Sequence, residues 1–227
     1  GLLGLALLIF ISYLTNIFSP HDYLHNSIII LFGLIVFVYD FRQNFSKRRK
    51  ELRDLTIIFS IIFMGLLMYK NHDDFFYYHF PYTIILTEFE KVFGLGNLNH
   101  GFRTPSSIFY LNSLFYLPGI KYFFLNSGAV YIFGFSNFVL YNVIKDQLVK
   151  KDFNHILFLS LLSLLYINTT FPRLSEHGTD RSALILIFLM SIFYLKSLNY
   201  EKKNLDQKYF SNYYTKLAVL FAIIISL

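Results

Sequence analysis

The stretch LTIIFSIIFMGLLMYKNHDDFFYYHFPY, Leu55 to Tyr82, carries the contrast on which the reading of this sequence turns. Its first part, Leu55–Tyr69, is fifteen residues with almost no polarity. Its second part, Lys70–Tyr82, crowds two carboxylates, two histidines and a proline together. Hydrocarbon offers the backbone no water, so such an apolar run satisfies its own N–H and C=O groups as helix. The pattern recurs in Asn26–Phe41, Leu125–Ile144, His155–Phe171 and Ser182–Leu198. Runs of roughly 17–25 apolar residues span a bilayer, and the shorter blocks gain length from flanking Tyr, Asn or Lys. With the apolar ends added, seven spans are expected, near 1–18, 26–41, 55–69, 125–144, 155–171, 182–198 and 214–227. The expected fold class is all-α, a polytopic membrane protein with one transmembrane domain over 1–227.

Composition agrees. Of 227 residues 55% are hydrophobic and 20% aromatic, and only 15% are charged, against about 25% in a soluble domain. There is no cysteine, which excludes disulfides and thiolate metal sites. Gly1–Phe18 has no basic region before its apolar run, unlike a signal peptide. Both ends lie in apolar sequence, the pattern expected of a piece of a longer chain. Phe, Ile, Asn, Lys and Tyr are abundant and Ala is scarce, the usage of an AT-rich bacterial genome.

Charge sets the expected orientation. Arg42–Asp54 holds six Lys or Arg, Lys145–His155 three and Lys196–Lys216 five. The alternate connections hold none in Ser19–His25, four in Lys70–Phe124 and two in Pro172–Arg181. The positive-inside rule puts the first set in the cytoplasm. Residues 70–124 then face outward from a bacterial inner membrane. The net charge of +6 serves orientation and anionic lipid headgroups, and no nucleic-acid partner is expected.

The long outer segment reads as two short helices lying in the interface, near 81–93 and 105–117. Pro81 suits a first helical turn, with Ile85, Phe89 and Val92 on one face and Gly94 and Gly96 as the stop. Thr104 and Pro105 suit the start of the second, whose Ile108, Leu111 and Phe115 repeat at helical spacing before Pro118-Gly119. NLNHGFR (Asn97–Arg103) joins them. A further outer loop, Pro172–Arg181, adds Glu176, His177, Asp180 and Arg181.

A carboxylate beside a membrane can act as a general base toward a hydroxyl. With imidazoles it can instead hold a divalent cation against a phosphate. Neighbours on a helix point about 100° apart, so one of Asp73 and Asp74 is expected to face a site. Asp74 is favoured because FFYYHFP follows it. No HxH or HExxH spacing occurs, so no metal site is assigned. Arg103 and Arg181 suit bidentate phosphate contact. No P-loop, GxSxG or GxGxxG motif is present. Charged residues are nearly absent from the apolar blocks, which argues against an ion channel or proton-coupled pump.

An acidic pair followed by aromatics, His and Pro (Asp73, Asp74, Tyr77, Tyr78, His79 and Pro81) resembles the first large external loop of the GT-C superfamily of membrane glycosyltransferases. The stretch from Tyr77 to Phe115 is also similar to a group of bacterial multi-spanning proteins. Their D-x-x-x-Y-H-x-P stretch matches Asp74, Tyr78, His79 and Pro81. A G-L-x-N-x-H-x-R segment approximates Gly94, Leu95, Asn97, His100 and Arg103, and paired serines match Ser106-Ser107. The GTD of Gly178–Asp180 resembles a later loop of that group. The resemblance covers about 70–181. It implies Asp74 or Asp73 as catalytic base, with Arg103 or Arg181 on the phosphate. Tyr78, His79, His100, Glu176, His177 and Asp180 complete the implied substrate site. It also implies a sugar donor on a polyprenyl phosphate, an envelope glycan, lipid or protein acceptor, and catalysis with or without a divalent cation such as Mg or Mn. Many superfamily members have one span before the loop-bearing one, whereas two are expected here. A non-enzymatic transporter or flippase component for lipid-linked sugars, and a polysaccharide polymerase or ligase, remain the alternatives.

Overall fold

A computed structural model describes residues 1–66, 74–170, 179–203, 212–219 and 222. Among them the fold is all-helical, with one isolated bridge, Leu117 to Lys121, and no named strand. Asp73, Glu176 and His177 lie outside the described residues. The described chain forms two compact units, residues 1–132 and the remainder.

The first unit begins with α1 (Leu2–Asn16), which buries Leu2, Leu5, Ile9, Ser12 and Asn16. These recur every three or four residues, the stripe of a helix packed on one side, and α1 packs against α5 (Ser107–Ser113). Asp22 caps α2 (Tyr23–Gln43), accepting from the His25 N–H at 2.8 Å. The apolar side chains of α2 stay largely uncovered, Phe32 and Ile35 being 67% and 65% exposed.

After a turn at Asn44 the chain re-enters helix as α3 (Phe45–Leu66). The basic stretch Arg42–Asp54, expected as a connection, is therefore mostly helical. It contains neither Gly nor Pro, and Lys, Arg and Glu are good helix formers. Arg48 braces the corner, pairing with Asp40 and Glu51, each at 2.8 Å.

Among the described residues three helices are long and apolar enough to cross a bilayer: Tyr23–Gln43, Ser127–Val149 and Asp180–Leu198. Of the seven expected spans, these three are the ones the described residues support. α1 and α7 (His155–Thr170) have 15 and 16 residues, about 22–24 Å of helix against a hydrocarbon core near 30 Å. α3 spends its first half on charge, and the block near 214–227 is described only in part.

The helices of the long segment are shorter than 81–93 and 105–117. α4 is Phe80–Glu88, and α5 starts at a Ser106 cap instead of Thr104. α5 shows no polar face to solvent. Ile108, Phe109, Tyr110, Leu111, Asn112 and Ser113 are all buried, Tyr110 and Leu111 completely. Its polar side chains have internal partners: Asn112 Oδ1 accepts from the Gly128 N–H at 2.7 Å, at the start of α6 (Ser127–Val149).

In the second unit α7 packs on α8 (Thr179–Lys203), with Tyr166 and Phe188 rings 5.2 Å apart. Asn154 caps α7, its Oδ1 accepting from Ile156 and Leu157 N–H groups at 3.0 and 3.1 Å. Asn168 Nδ2 donates to Asn137 Oδ1 of α6 at 2.7 Å.

Replacing Asn112 with Ala would strand the Gly128 N–H in the interior. A buried donor without a partner costs about 1–3 kcal/mol, so the thermal midpoint of the detergent-purified protein is expected to fall. An unchanged midpoint would mean that this bond contributes nothing to stability.

Candidate functional site

The site grows from an interruption in the helical ladder. Phe75–His79 forms a π-helical turn directly before α4, the Phe80 N–H bonding to the Phe75 carbonyl five residues back. Pro81 supplies the cause. It has no N–H to donate, and its ring opposes regular helix at the preceding turn, so the chain widens there. Asp74 stands half-exposed at the mouth of this turn. Phe75 and His79 point inward, and Phe76 and Tyr77 outward. The His79 ring packs 4.8 Å from Phe109 and 4.0 Å from Tyr78. The expected substrate-binding histidine is thus a buried member of an aromatic cluster.

A second turn, His100–Phe102, packs against the first. Asn99 joins them: its Nδ2 donates to the Tyr77 carbonyl at 3.1 Å, and its Oδ1 accepts from the Gly101 N–H at 2.9 Å. Tyr78 lies directly on Gly101, where any Cβ would overlap the Tyr78 side chain. Phe102 is buried against Tyr82, ring centroids 5.5 Å apart. His100 and Arg103 remain exposed, and Arg103 Nε donates to the Gly96 carbonyl at 3.4 Å. The segments bearing Asp74, Tyr78, His79, His100 and Arg103 therefore meet in one cluster of the first unit.

Asp180 and Arg181 belong to the second unit. Asp180 sits in the first turn of α8, where a carboxylate complements the helix dipole. Among the described residues no three His, Asp or Glu side chains gather as a metal site.

A cavity of about 420 Å³ opens beside the second turn, lined by Tyr82, Lys91, Gly94, Asn97, Phe102 and Arg103 among others. Gly94 holds φ +84°, a conformation that side-chain-bearing residues rarely adopt. Lys91 is the residue that periodicity missed. Within the range of the helix expected over 81–93, it lies instead beyond the end of α4. Its N–H donates to the Asn16 carbonyl at 2.7 Å, and its Nζ to the Tyr110 hydroxyl at 2.8 Å. Tyr82 and Tyr110 hydroxyls stand 3.3 Å apart. Burial raises the pKa of both, so both remain neutral phenols at physiological pH.

Behind Tyr110 lies a buried polar knot. His21, with no exposed surface, has Nδ1 2.6 Å from Ser113 Oγ and Nε2 3.1 Å from the Ser12 carbonyl. A carbonyl only accepts, so Nε2 carries the proton in this arrangement and Nδ1 accepts from Ser113. Ser12 Oγ donates to the Tyr110 carbonyl at 2.7 Å, and Ser113 Oγ, 2.8 Å from the same carbonyl, divides its one proton between that oxygen and His21 Nδ1. The His21 N–H reaches the Leu86 carbonyl at 2.8 Å. This residue therefore ties α1, α4 and α5 together, behind the wall that holds Lys91.

A family model described as a domain of unknown function (DUF8201) matches residues 1–227. The chain belongs to the DUF8201 family. No curated protein and no solved structure matches it.

In this DUF8201 chain the knot also sets a dependence on pH. Burial first, and the neighbouring His25 second, push His21 down from 6.5 to about 4, against the opposing effect of its bond to Ser12. The unfolded chain therefore binds a proton between pH 6.5 and 4 that the folded chain refuses. Stability from this group is full above pH 6.5 and is lost as pH falls toward 4, by about 3 kcal/mol. Thermal midpoints of wild type and His21→Asn compared from pH 7 to pH 4.5 should show the steeper decline in wild type. Parallel curves would remove His21 as the cause.

Proposed function

We propose that the protein is a membrane glycosyltransferase of the GT-C type. It transfers a sugar from a polyprenyl-phosphate donor to an envelope glycan, lipid or protein acceptor. The observation that carries this reading is the packing of the Asp74-bearing turn on the turn that precedes Arg103, through Asn99 and the contact of Tyr78 with Gly101. A carboxylate segment and a guanidinium segment thereby share one polar cluster. Three helices long and apolar enough to span support work at a membrane. The basic residues near Arg42–Asp54 favour a cytoplasmic side for that corner, with the Asp74 cluster on the outer face of a bacterial inner membrane.

In the proposed reaction the Asp74 carboxylate takes the proton of an acceptor hydroxyl. The acceptor oxygen then attacks the anomeric carbon from the face opposite the phosphate. The new glycosidic bond forms as the bond from carbon to phosphate oxygen breaks, with inversion. The electron pair leaves with the polyprenyl phosphate, whose charge Arg103 offsets. Asp73 stands beside Asp74 in sequence as the other candidate base. Arg181 and Asp180, on the second unit, enter this reading only through the resemblance.

The test is sugar transfer from radiolabelled polyprenyl-linked donors in membranes carrying the full chain. Asp74→Asn is expected to lower transfer on the order of 10²–10⁴-fold while membrane insertion persists. Wild-type transfer in Asp74→Asn and in the Asp73→Asn/Asp74→Asn double variant would end the proposal. Transfer that survives both but falls in Arg103→Ala would point to a polymerase or ligase.

A further inference from the structure

We infer that the cavity framed by Lys91 and Arg103 is a phosphate-binding site, in which the lysine is held by Tyr110 and the arginine, tethered through Nε, presents its terminal nitrogens. The inference shares with the proposed function the assignment of phosphate to Arg103, and it adds Lys91, Tyr110 and the loop between them. It does not depend on any transfer of sugar.

Three observations carry it. The first is unbalanced charge. Arg48 pairs with Asp40 and Glu51, and Arg53 with Asp54. Neither Lys91 nor Arg103 is in an ion pair among the described residues. Both line the same cavity, and no carboxylate lines it with them. Glu88 and Glu90, close in sequence, are exposed and outside its wall. Two cations facing one space without a carboxylate complement an oxyanion carrying one or two negative charges.

The second observation is how Lys91 is held. Lysine ordinarily loses considerable rotamer freedom when it binds an anion. Here that freedom is already restricted. Asn16 of α1 accepts from the Lys91 backbone N–H through its carbonyl, and its Nδ2 donates to the Phe89 carbonyl at 3.3 Å. The fully buried Tyr110 accepts one Nζ proton and places its ring 5.4 Å from the ammonium. Two of the three ammonium protons are left for a ligand.

The third is the loop. Arg103 Nε donates to the Gly96 carbonyl, and its terminal nitrogens make no hydrogen bond among the described residues. A planar fork of donors anchored at its inner nitrogen suits two oxygens of one phosphate, and the point charge of Lys91 suits a third. The volume of about 420 Å³ falls within the usual range for small-ligand sites. It leaves space for the group esterified to that phosphate.

The probes are inorganic phosphate and decyl phosphate, titrated by calorimetry into the full chain in detergent, with sulfate as competitor. Saturable binding is expected in wild type. Lys91→Gln and Arg103→Gln should each weaken it about ten-fold, and the double variant should abolish it. Tyr110→Phe should weaken it less, because it frees the ammonium without removing it. Thermal midpoints of the variants within a few degrees of wild type ensure that folding is not what is read. Tighter binding of decyl phosphate than of inorganic phosphate identifies a lipid-borne phosphate, and equal binding a free one. No saturable binding of either probe, or wild-type binding in the double variant, overturns the inference. Binding without any sugar transfer would remove the transferase and leave the site. Transfer at the wild-type rate in the Lys91/Arg103 double variant would remove the site and leave the transferase.

Discussion

A helix of seven residues with no exposed face has to find every polar partner inside the protein, and α5 meets that constraint with groups drawn from across the first unit. Ser12 of α1 donates to the Tyr110 carbonyl. His21 receives Ser113, and Gly128 at the start of α6 donates to Asn112. Asn26 of α2 reaches the carbonyls of His21, Ser113 and Tyr116 at 2.7, 2.9 and 2.9 Å. Each group left unpaired would cost about 1–3 kcal/mol. The placement of α1, α2 and α6 around α5 follows from this requirement as much as from apolar burial. Tyr110 belongs to both systems: its carbonyl sits in the knot and its hydroxyl holds Lys91.

How legible this was depended on whether the deciding partner was local. The apolar blocks Asn26–Phe41, Leu125–Ile144 and Ser182–Leu198 announce their helices, because hydrocarbon-like composition over that length leaves little else. Charge alone marks the run Arg42–Asp54 as a connection, although charged residues without Gly or Pro continue a helix readily. α5 is more instructive. Spacing identifies residues that share a face, but it does not say whether the other face meets water or a buried asparagine. Asn112 and Ser113 are buried, and their partners Gly128 and His21 lie 16 and 92 positions away.

The candidate site divides in the same way. Asp74, Tyr78, His100 and Arg103 stand out as residue types at suggestive spacing, and their segments come together. His79 drew attention for its chemistry and proves to be packed among aromatic rings. Lys91, Tyr110 and His21 gave no signal. A lone lysine near a helix end, a tyrosine among eighteen and a histidine between two apolar blocks are unremarkable until distant elements surround them. The contact from Ser12 to Tyr110 spans 98 positions, well beyond any local pattern.

The π-helical turn at Phe75–His79 has a further meaning for the acidic residue just before it. Such a turn amounts to one extra residue accommodated within a helix, and one residue of α-helix corresponds to a rotation of about 100°. The heading of Asp74 relative to α4 is therefore set by a count of residues more than by any side chain. Losing one residue from this turn would restore the regular winding and swing Asp74 about the helix axis, with every chemical group in the cluster still present. In lineages of this fold, a shortening here would act as a change of aim, leaving composition almost untouched.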